Sequence, residues 1–113
     1  MIPEATLYDR ILILLRRRSE VLIAGDSMLP VLASGDRVVV APSAEITAGD
    51  IVVAFHPYKA SVSVVKRVDE ILPDGRFILI GENLAESTDS RHFGTLLAKD
   101  IFGKVVALIR RAK

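Results

Sequence analysis

Residues 62–80 read VSVVKRVDEILPDGRFILI, two runs of mostly β-branched and aliphatic residues on either side of Pro73-Asp74-Gly75. Proline, aspartate and glycine supply the backbone angles that a tight turn requires. The stretch therefore predicts a hairpin of two antiparallel strands. Successive side chains of a strand point to opposite faces, so Lys66 shares one face of the first strand with three valines.

The same sequence pattern extends over most of the chain after Ser19. Short β-branched runs alternate with segments that contain glycine, proline or aspartate, which is typical of a mainly β protein. The predicted strands are residues 21–24, 37–41, 51–55, 62–68, 77–80 and 105–109. We predict a β core of antiparallel sheets over residues 20–113, preceded by an N-terminal helix within residues 1–19.

Residues 3–18 have the features of that helix. A proline lies near the start, acidic residues occupy the first turns, and three arginines follow at the end, which is the charge order that a helix dipole favours. Leu7, Ile11 and Leu14 follow helical spacing. We expect the helix to pack on the domain. In the alternative, its leucine-rich surface and the arginines dock on a membrane face or on a partner.

Composition sets further limits. With 113 residues, half of them apolar, the chain suffices for one domain, residues 1–113. The charges balance at 15 basic against 14 acidic residues, unlike the basic surface of a nucleic-acid-binding protein. The chain has no cysteine and two histidines, so we expect no metal site and no cofactor.

The distribution of apolar residues argues against a membrane-spanning segment. No apolar run exceeds five residues, whereas a spanning helix needs about 20. The N-terminus also lacks the pattern of a secretory signal, because acidic residues precede its apolar run and arginines follow it. We expect a cytoplasmic protein that contacts a membrane, if at all, peripherally through the N-terminal helix.

Lys66 is the first candidate for chemistry. Burying an ammonium group is costly unless the group is paired, and a buried amine tends to lose its proton. A neutral amine can act as a general base. In the alternative, the aliphatic stem covers the valines and the ammonium group reaches solvent at the edge of the sheet.

Ser27 is the second candidate, within Gly25-Asp26-Ser27-Met28-Leu29-Pro30. A serine between a glycine turn and a proline could be held rigidly with its hydroxyl accessible. Serine becomes an effective nucleophile when a neighbouring base removes its proton, and a desolvated lysine is one such base. Taken alone, the segment is equally compatible with a loop that ends a strand.

A third segment, residues 81–91, is rich in small polar side chains. Asp89 and Arg91 could form an ion pair that fixes this loop. The alternative is a solvated loop.

Taken together, five segments resemble the ordered sequence boxes of type I signal peptidases. They are GDSMLP (25–30), GDIVV (49–53), VVKRV (64–68), GENLAESTDSRHFG (81–94) and DIFGKV (100–105). Within that superfamily, the chain most resembles the soluble proteases that mature nickel-type superoxide dismutase. This resemblance rests on the residues of the fourth box, on His56-Pro57-Tyr58 and on the expectation that the protein has no membrane anchor.

This resemblance implies a serine endopeptidase with a Ser/Lys dyad on a compact, signal-peptidase-like β catalytic core. Ser27 matches the nucleophile and Lys66 the general base. Ser87 matches the serine that orients the lysine, and Asp89 and Arg91 match the pair that holds the loop. In many signal peptidases a serine occupies the position of Gly25 here.

The resemblance also implies a protein substrate, the precursor of nickel superoxide dismutase. Removal of its N-terminal extension would expose a histidine that helps to bind nickel. An extended peptide would add as a strand beside residues 21–24 or 51–55. The residues expected to contact substrate are Met28, Pro30, His56 and Tyr58.

Four other functions remain open. They are a general signal peptidase for secretory precursors, a peptide-binding module that does not cleave, a Ser-His-Asp hydrolase and a self-cleaving repressor fragment. The hydrolase would combine Ser27 with His56 or His92 and Asp89. The repressor is disfavoured, because the Ala24-Gly25 bond is too close to Ser27 to reach it.

Overall fold

The sheet is built around the predicted hairpin. The computed structural model describes residues 2–25, 27–42, 44–56, 58–83 and 90–109. Its six strands are β1 (Ser19–Leu22), β2 (Arg37–Ala41), β3 (Ile51–His56), β4 (Lys59–Ile71), β5 (Phe77–Ile80) and β6 (Ile101–Ile109). They form one antiparallel sheet in the order β1-β2-β6-β3-β4-β5. The prediction of a mainly β fold with an N-terminal helix is confirmed.

The turn between β4 and β5 forms where Pro73-Asp74-Gly75 predicts it. Leu72 accepts a hydrogen bond from the Gly75 N–H and donates one to Arg76, both at 2.8 Å. Gly75 has a φ of +88°, a conformation that residues with a Cβ rarely adopt. The turn sets the register in which Ile71 faces Phe77 and Arg67 faces Ile80.

Two apolar clusters cover the sheet. Alternate residues of β3 belong to different clusters, with Ile51 and Val53 in one and Val52 and Ala54 in the other. Because apolar side chains cover both of its faces, β3 can be an uninterrupted apolar run rather than an alternating one. The first cluster also contains the residues that follow β1, which brings this part of the chain against the sheet.

Helix α1 spans Leu7–Leu14, so the predicted helix over residues 3–18 is too long at both ends. Thr6 and Asp9 form a capping box, in which the Asp9 carboxylate accepts from the Thr6 N–H at 2.8 Å. Before this cap the chain pairs with β6, since the Pro3 carbonyl accepts from the Leu108 N–H at 2.8 Å. After the helix, Arg16 adopts a φ of +61°, which ends the helical path.

No residue of α1 is buried, in contrast to the expectation that its leucine face packs on the domain.

Two further short helical elements are α2 (Ser90–Phe93) and a 3₁₀ turn (Ala98–Asp100). In the part of the chain that the structure describes, no helix has the length and apolar character needed to cross a bilayer.

Candidate active site

Ser27 and Lys66 line the same cavity, which has a volume of about 210 Å³. One wall is strand β1 with the residues that follow it, and the other is the middle of β4. The remaining lining residues are Val21, Leu22, Ile23, Ala24, Met28, Ser63, Val64 and Val65. The two residues singled out from separate segments of the sequence therefore border one small cavity.

The backbone on both sides of Ser27 is fixed. Gly25 turns the chain with a φ of +83°. Met28 and Leu32 are buried in the first apolar cluster, and the Leu32 N–H donates to the Met28 carbonyl at 2.9 Å. The Asn83 N–H donates to the Ser27 carbonyl at 2.8 Å. Ser27 itself is half-buried, so its position is held by its neighbours.

Lys66 is only 4% exposed, and it is the one charged side chain that is buried within the described ranges. It lies in the centre of β4, in register with Val52 of β3. The sequence placed it on an apolar face, and the structure agrees. With so little exposure, the alternative in which its ammonium group reaches solvent does not hold.

The sequence did not identify the contacts that hold the loop beside Ser27. Arg67 follows Lys66 on β4, and its guanidinium Nε pairs with the Glu82 carboxylate. Arg67 also donates to the Gly49 carbonyl. Glu82 precedes Asn83, whose N–H holds the Ser27 carbonyl, so this ion pair supports the nucleophile turn. The register of the hairpin could have indicated this ion pair. Arg67 faces Ile80, and Glu82 lies two residues further along, which is the diagonal position across two paired strands.

The predicted supporting residues are only partly described. Ser87 and Asp89 lie outside the described residues, and so does the predicted pairing of Asp89 with Arg91. Arg91 is in α2 and its side chain is exposed. The neighbouring Ser90 hydroxyl accepts from the Leu79 N–H at 2.8 Å, which attaches α2 to β5.

The four predicted substrate contacts differ in position. Met28 borders the cavity but is otherwise buried. Pro30 is exposed, and neither it nor His56 is among the described lining residues. His56 is half-buried, with its ring centre 4.9 Å from that of Phe93. Its Nδ1 accepts from the N–H of the exposed Tyr58 at 3.1 Å.

These contacts bear on the Ser-His-Asp alternative. One ring nitrogen of His56 is already bonded to the backbone, and the described lining of the Ser27 cavity does not include His56. The arrangement is therefore unfavourable for a His56 general base, which must lie within hydrogen-bond reach of the hydroxyl.

A larger cavity of about 500 Å³ lies elsewhere and contains neither Ser27 nor Lys66. Two of its charged groups pair with each other, since Lys104 Nζ lies 3.4 Å from the Asp50 carboxylate, and the third, Arg67, pairs with Glu82. Burial raises the pKa of Asp50, but the hydrogen bond from the Thr47 N–H and the Lys104 ammonium outweigh it and leave the pKa below its ordinary value. Within the described ranges, no group of three or more acidic, histidine or cysteine side chains could hold a metal ion.

Strand β1 lies at one edge of the sheet, and this decides between the two predicted docking sites for a peptide. On one side β1 pairs with β2, and no strand follows it on the other among the described residues. Strand β3 pairs with both β4 and β6. Docking beside residues 51–55 is therefore wrong, because the backbone groups of this strand are already paired on both sides.

Comparison with known proteins identifies a family for this chain. A family model described as Peptidase S24-like matches residues 15–106, a range that includes both Ser27 and Lys66. No curated protein matches the chain. The match supports the superfamily predicted from the sequence and does not extend to the proteases that mature nickel superoxide dismutase. Because it covers most of the sequence, the chain belongs to the Peptidase S24-like family and is a serine peptidase.

Proposed function

We propose that this protein is an endopeptidase with Ser27 as nucleophile and Lys66 as general base. The observation that supports the proposal is the shared cavity, which is lined by both the half-buried Ser27 and the buried Lys66. Burial of a lysine side chain disfavours its ammonium form, and the neutral amine is the form that can accept a proton.

The reaction follows from these two groups. Neutral Lys66 takes the proton of the Ser27 hydroxyl as Oγ attacks the peptide carbonyl. The C–N bond then breaks, and Lys66 returns the proton to the departing amine. A water molecule then attacks the resulting ester while Lys66 accepts its proton. The bond between the acyl carbon and Ser27 Oγ breaks, and Lys66 passes the proton to Oγ, which restores the free serine. The backbone N–H of Ser27 is the proposed donor to the oxyanion, because no side-chain hydroxyl is available at Gly25.

The free edge of β1 is the proposed docking site for the substrate. An extended peptide that pairs with β1 runs along one wall of the cavity, since residues 21–24 line it. Its scissile carbonyl then comes to Ser27 at the end of this wall. Pairing at a strand edge relies on backbone hydrogen bonds, which suits a substrate segment that is extended before cleavage.

The proposed substrate is the precursor of nickel superoxide dismutase, from which the enzyme removes the N-terminal extension. The support for this substrate is the resemblance of residues 81–94 to the maturation proteases. The nickel in this proposal belongs to the substrate.

Mass spectrometry of the precursor after incubation with the protein tests both parts of the proposal. We expect a single cut that leaves an N-terminal histidine, lost in Ser27→Ala and Lys66→Ala. Lys104→Ala is the matched control, because Lys104 lies on β6 in register with Val52, as Lys66 does on β4, but does not line the Ser27 cavity. It should retain cleavage.

Three results would contradict the proposal. Cleavage that persists in Lys66→Ala would exclude the assigned base, and an intact precursor with folded wild type would exclude this substrate. The rate should also rise from neutral to alkaline pH, because the base must be deprotonated. A flat profile from mildly acidic pH upward would contradict the role of Lys66.

A further inference from the structure

Helix α1, directly before the edge strand β1, presents its apolar side chains to solvent. Five of them, with exposed fractions between 45% and 82%, form a surface that we call the α1 apolar face: Leu7, Tyr8, Ile11, Leu14 and Leu15. At 3.6 residues per turn these positions fall within an arc of about 120°. Large apolar side chains that cluster in this way mark an interaction site more often than isolated exposed residues do.

The opposite side of the helix faces the domain. Asp9, Leu12 and Ile13 occupy that side, and each is half-buried. The Asp9 carboxylate is held by the capping box with Thr6. The pattern of exposure therefore directs the apolar face of the helix towards solvent.

Basic residues border the α1 apolar face. Arg10 is exposed on the helix, and Arg16 and Arg17 are exposed immediately after it. Asp9 is the only acidic residue between positions 7 and 18, against four arginines. The surface therefore combines apolar side chains with a local excess of positive charge, although the whole chain carries a net charge of only +1.

We propose that the α1 apolar face docks on an anionic lipid surface. The leucines and Tyr8 would enter the boundary between headgroups and acyl chains, and the arginines would contact lipid phosphates. The charge distribution favours lipid over a second copy of this chain, because a symmetric pairing of two α1 apolar faces would bring two sets of arginines together. An eight-residue helix is about 12 Å long and lies on the surface rather than spanning it.

Vesicle flotation with the whole protein tests this proposal independently of peptidase activity. Two vesicle types are compared, phosphatidylcholine alone and phosphatidylcholine mixed with phosphatidylglycerol. We expect at least about tenfold stronger partitioning to the mixed vesicles, reduced by high salt. The variant Leu14→Ser/Leu15→Ser should lower that partitioning at least about tenfold. Leu97→Ser, an exposed leucine away from α1, is the matched control.

Each outcome is decisive once circular dichroism shows that the variants are folded. Flotation with mixed vesicles that is lost in the α1 variant and kept in Leu97→Ser supports the proposal. Equal binding to both vesicle types, equal loss in both variants, or no flotation overturns it. A dimer in sedimentation velocity that dissociates in the α1 variant, without flotation, would overturn it in favour of self-association.

Discussion

Replacing Lys66 with methionine should separate stability from activity. Lys66 is 4% exposed in the middle of β4 and in register with Val52. Methionine has a similar length and flexibility, fills the same space and carries no charge. The variant Lys66→Met should therefore remain folded, be at least as stable as the wild type, and lose hydrolysis.

The expected magnitude follows from the burial of Lys66. Burying an amine opposes folding, whether the group keeps its charge away from water or loses its proton. Replacing buried ionic groups with apolar residues of similar size is often neutral or stabilises a protein by about 1–4 kcal/mol. Lys66 makes a contact that offsets part of its desolvation, so we expect the free energy of unfolding to rise by about 0–2 kcal/mol. Removing one member of a catalytic pair lowers the rate by roughly 10³-fold or more.

Urea denaturation followed by circular dichroism measures the stability, and peptide hydrolysis measures the activity. Lys104→Met is the control, since Lys104 is part-exposed and pairs with Asp50 at 3.4 Å. The free energy of unfolding of Lys104→Met should fall by up to about 1 kcal/mol, and its peptidase activity should be unchanged. If Lys66→Met lost more than about 2 kcal/mol, or hydrolysed peptides at the wild-type rate, Lys66 would be a structural lysine and the reasoning would be refuted.

Two further predictions concern the sheet. Asp50→Ala should lower the free energy of unfolding by about 1–2 kcal/mol at pH 7, because the carboxylate accepts from the Thr47 N–H at 2.8 Å and pairs with Lys104. The pKa of Asp50 is lowered in the folded protein, so this contribution is present above the ordinary carboxyl pKa and disappears as the pH falls through the folded value. Urea titrations should therefore show the difference shrinking below about pH 4, and a difference independent of pH would contradict this account. Gly103→Ala should lower the free energy of unfolding by about 1–3 kcal/mol, because the added Cβ would lie 2.8 Å from the Ala41 carbonyl oxygen. A thermal midpoint equal to that of the wild type would show that the strands separate more easily than the packing indicates.

The parts of the fold that depend on local sequence could be predicted. β2 and β5 have the predicted bounds, and the turn at residues 73–75 joins β4 to β5. Strand periodicity places Lys66 on the apolar face, because side chains alternate along a regular strand. It left open whether the ammonium group reaches solvent, and the 4% exposure in the structure decides that. β4 is longer than predicted, since its polar ends, such as Lys59 and Glu70, lack a strand-like composition but are held by their neighbours in the sheet.

The features that depend on distant contacts could not be predicted in the same way. Nothing local indicates that the chain before Thr6 pairs with Leu108, and this pairing delays the start of α1. The order of the strands decides that β1 is at an edge and β3 is interior. The hydrogen bond from Asn83 to Ser27 joins residues 56 positions apart. These contacts determine which strand a peptide can reach and how the nucleophile turn is held.

The most direct test of the central claim is covalent labelling with a serine-directed phosphonate, read by intact-mass and peptide-mapping mass spectrometry. The account predicts one adduct per chain on Ser27 in the wild type, faster at alkaline pH and absent from Lys66→Met. Labelling of folded Lys66→Met at the wild-type rate, or an adduct on a serine other than Ser27, would contradict it.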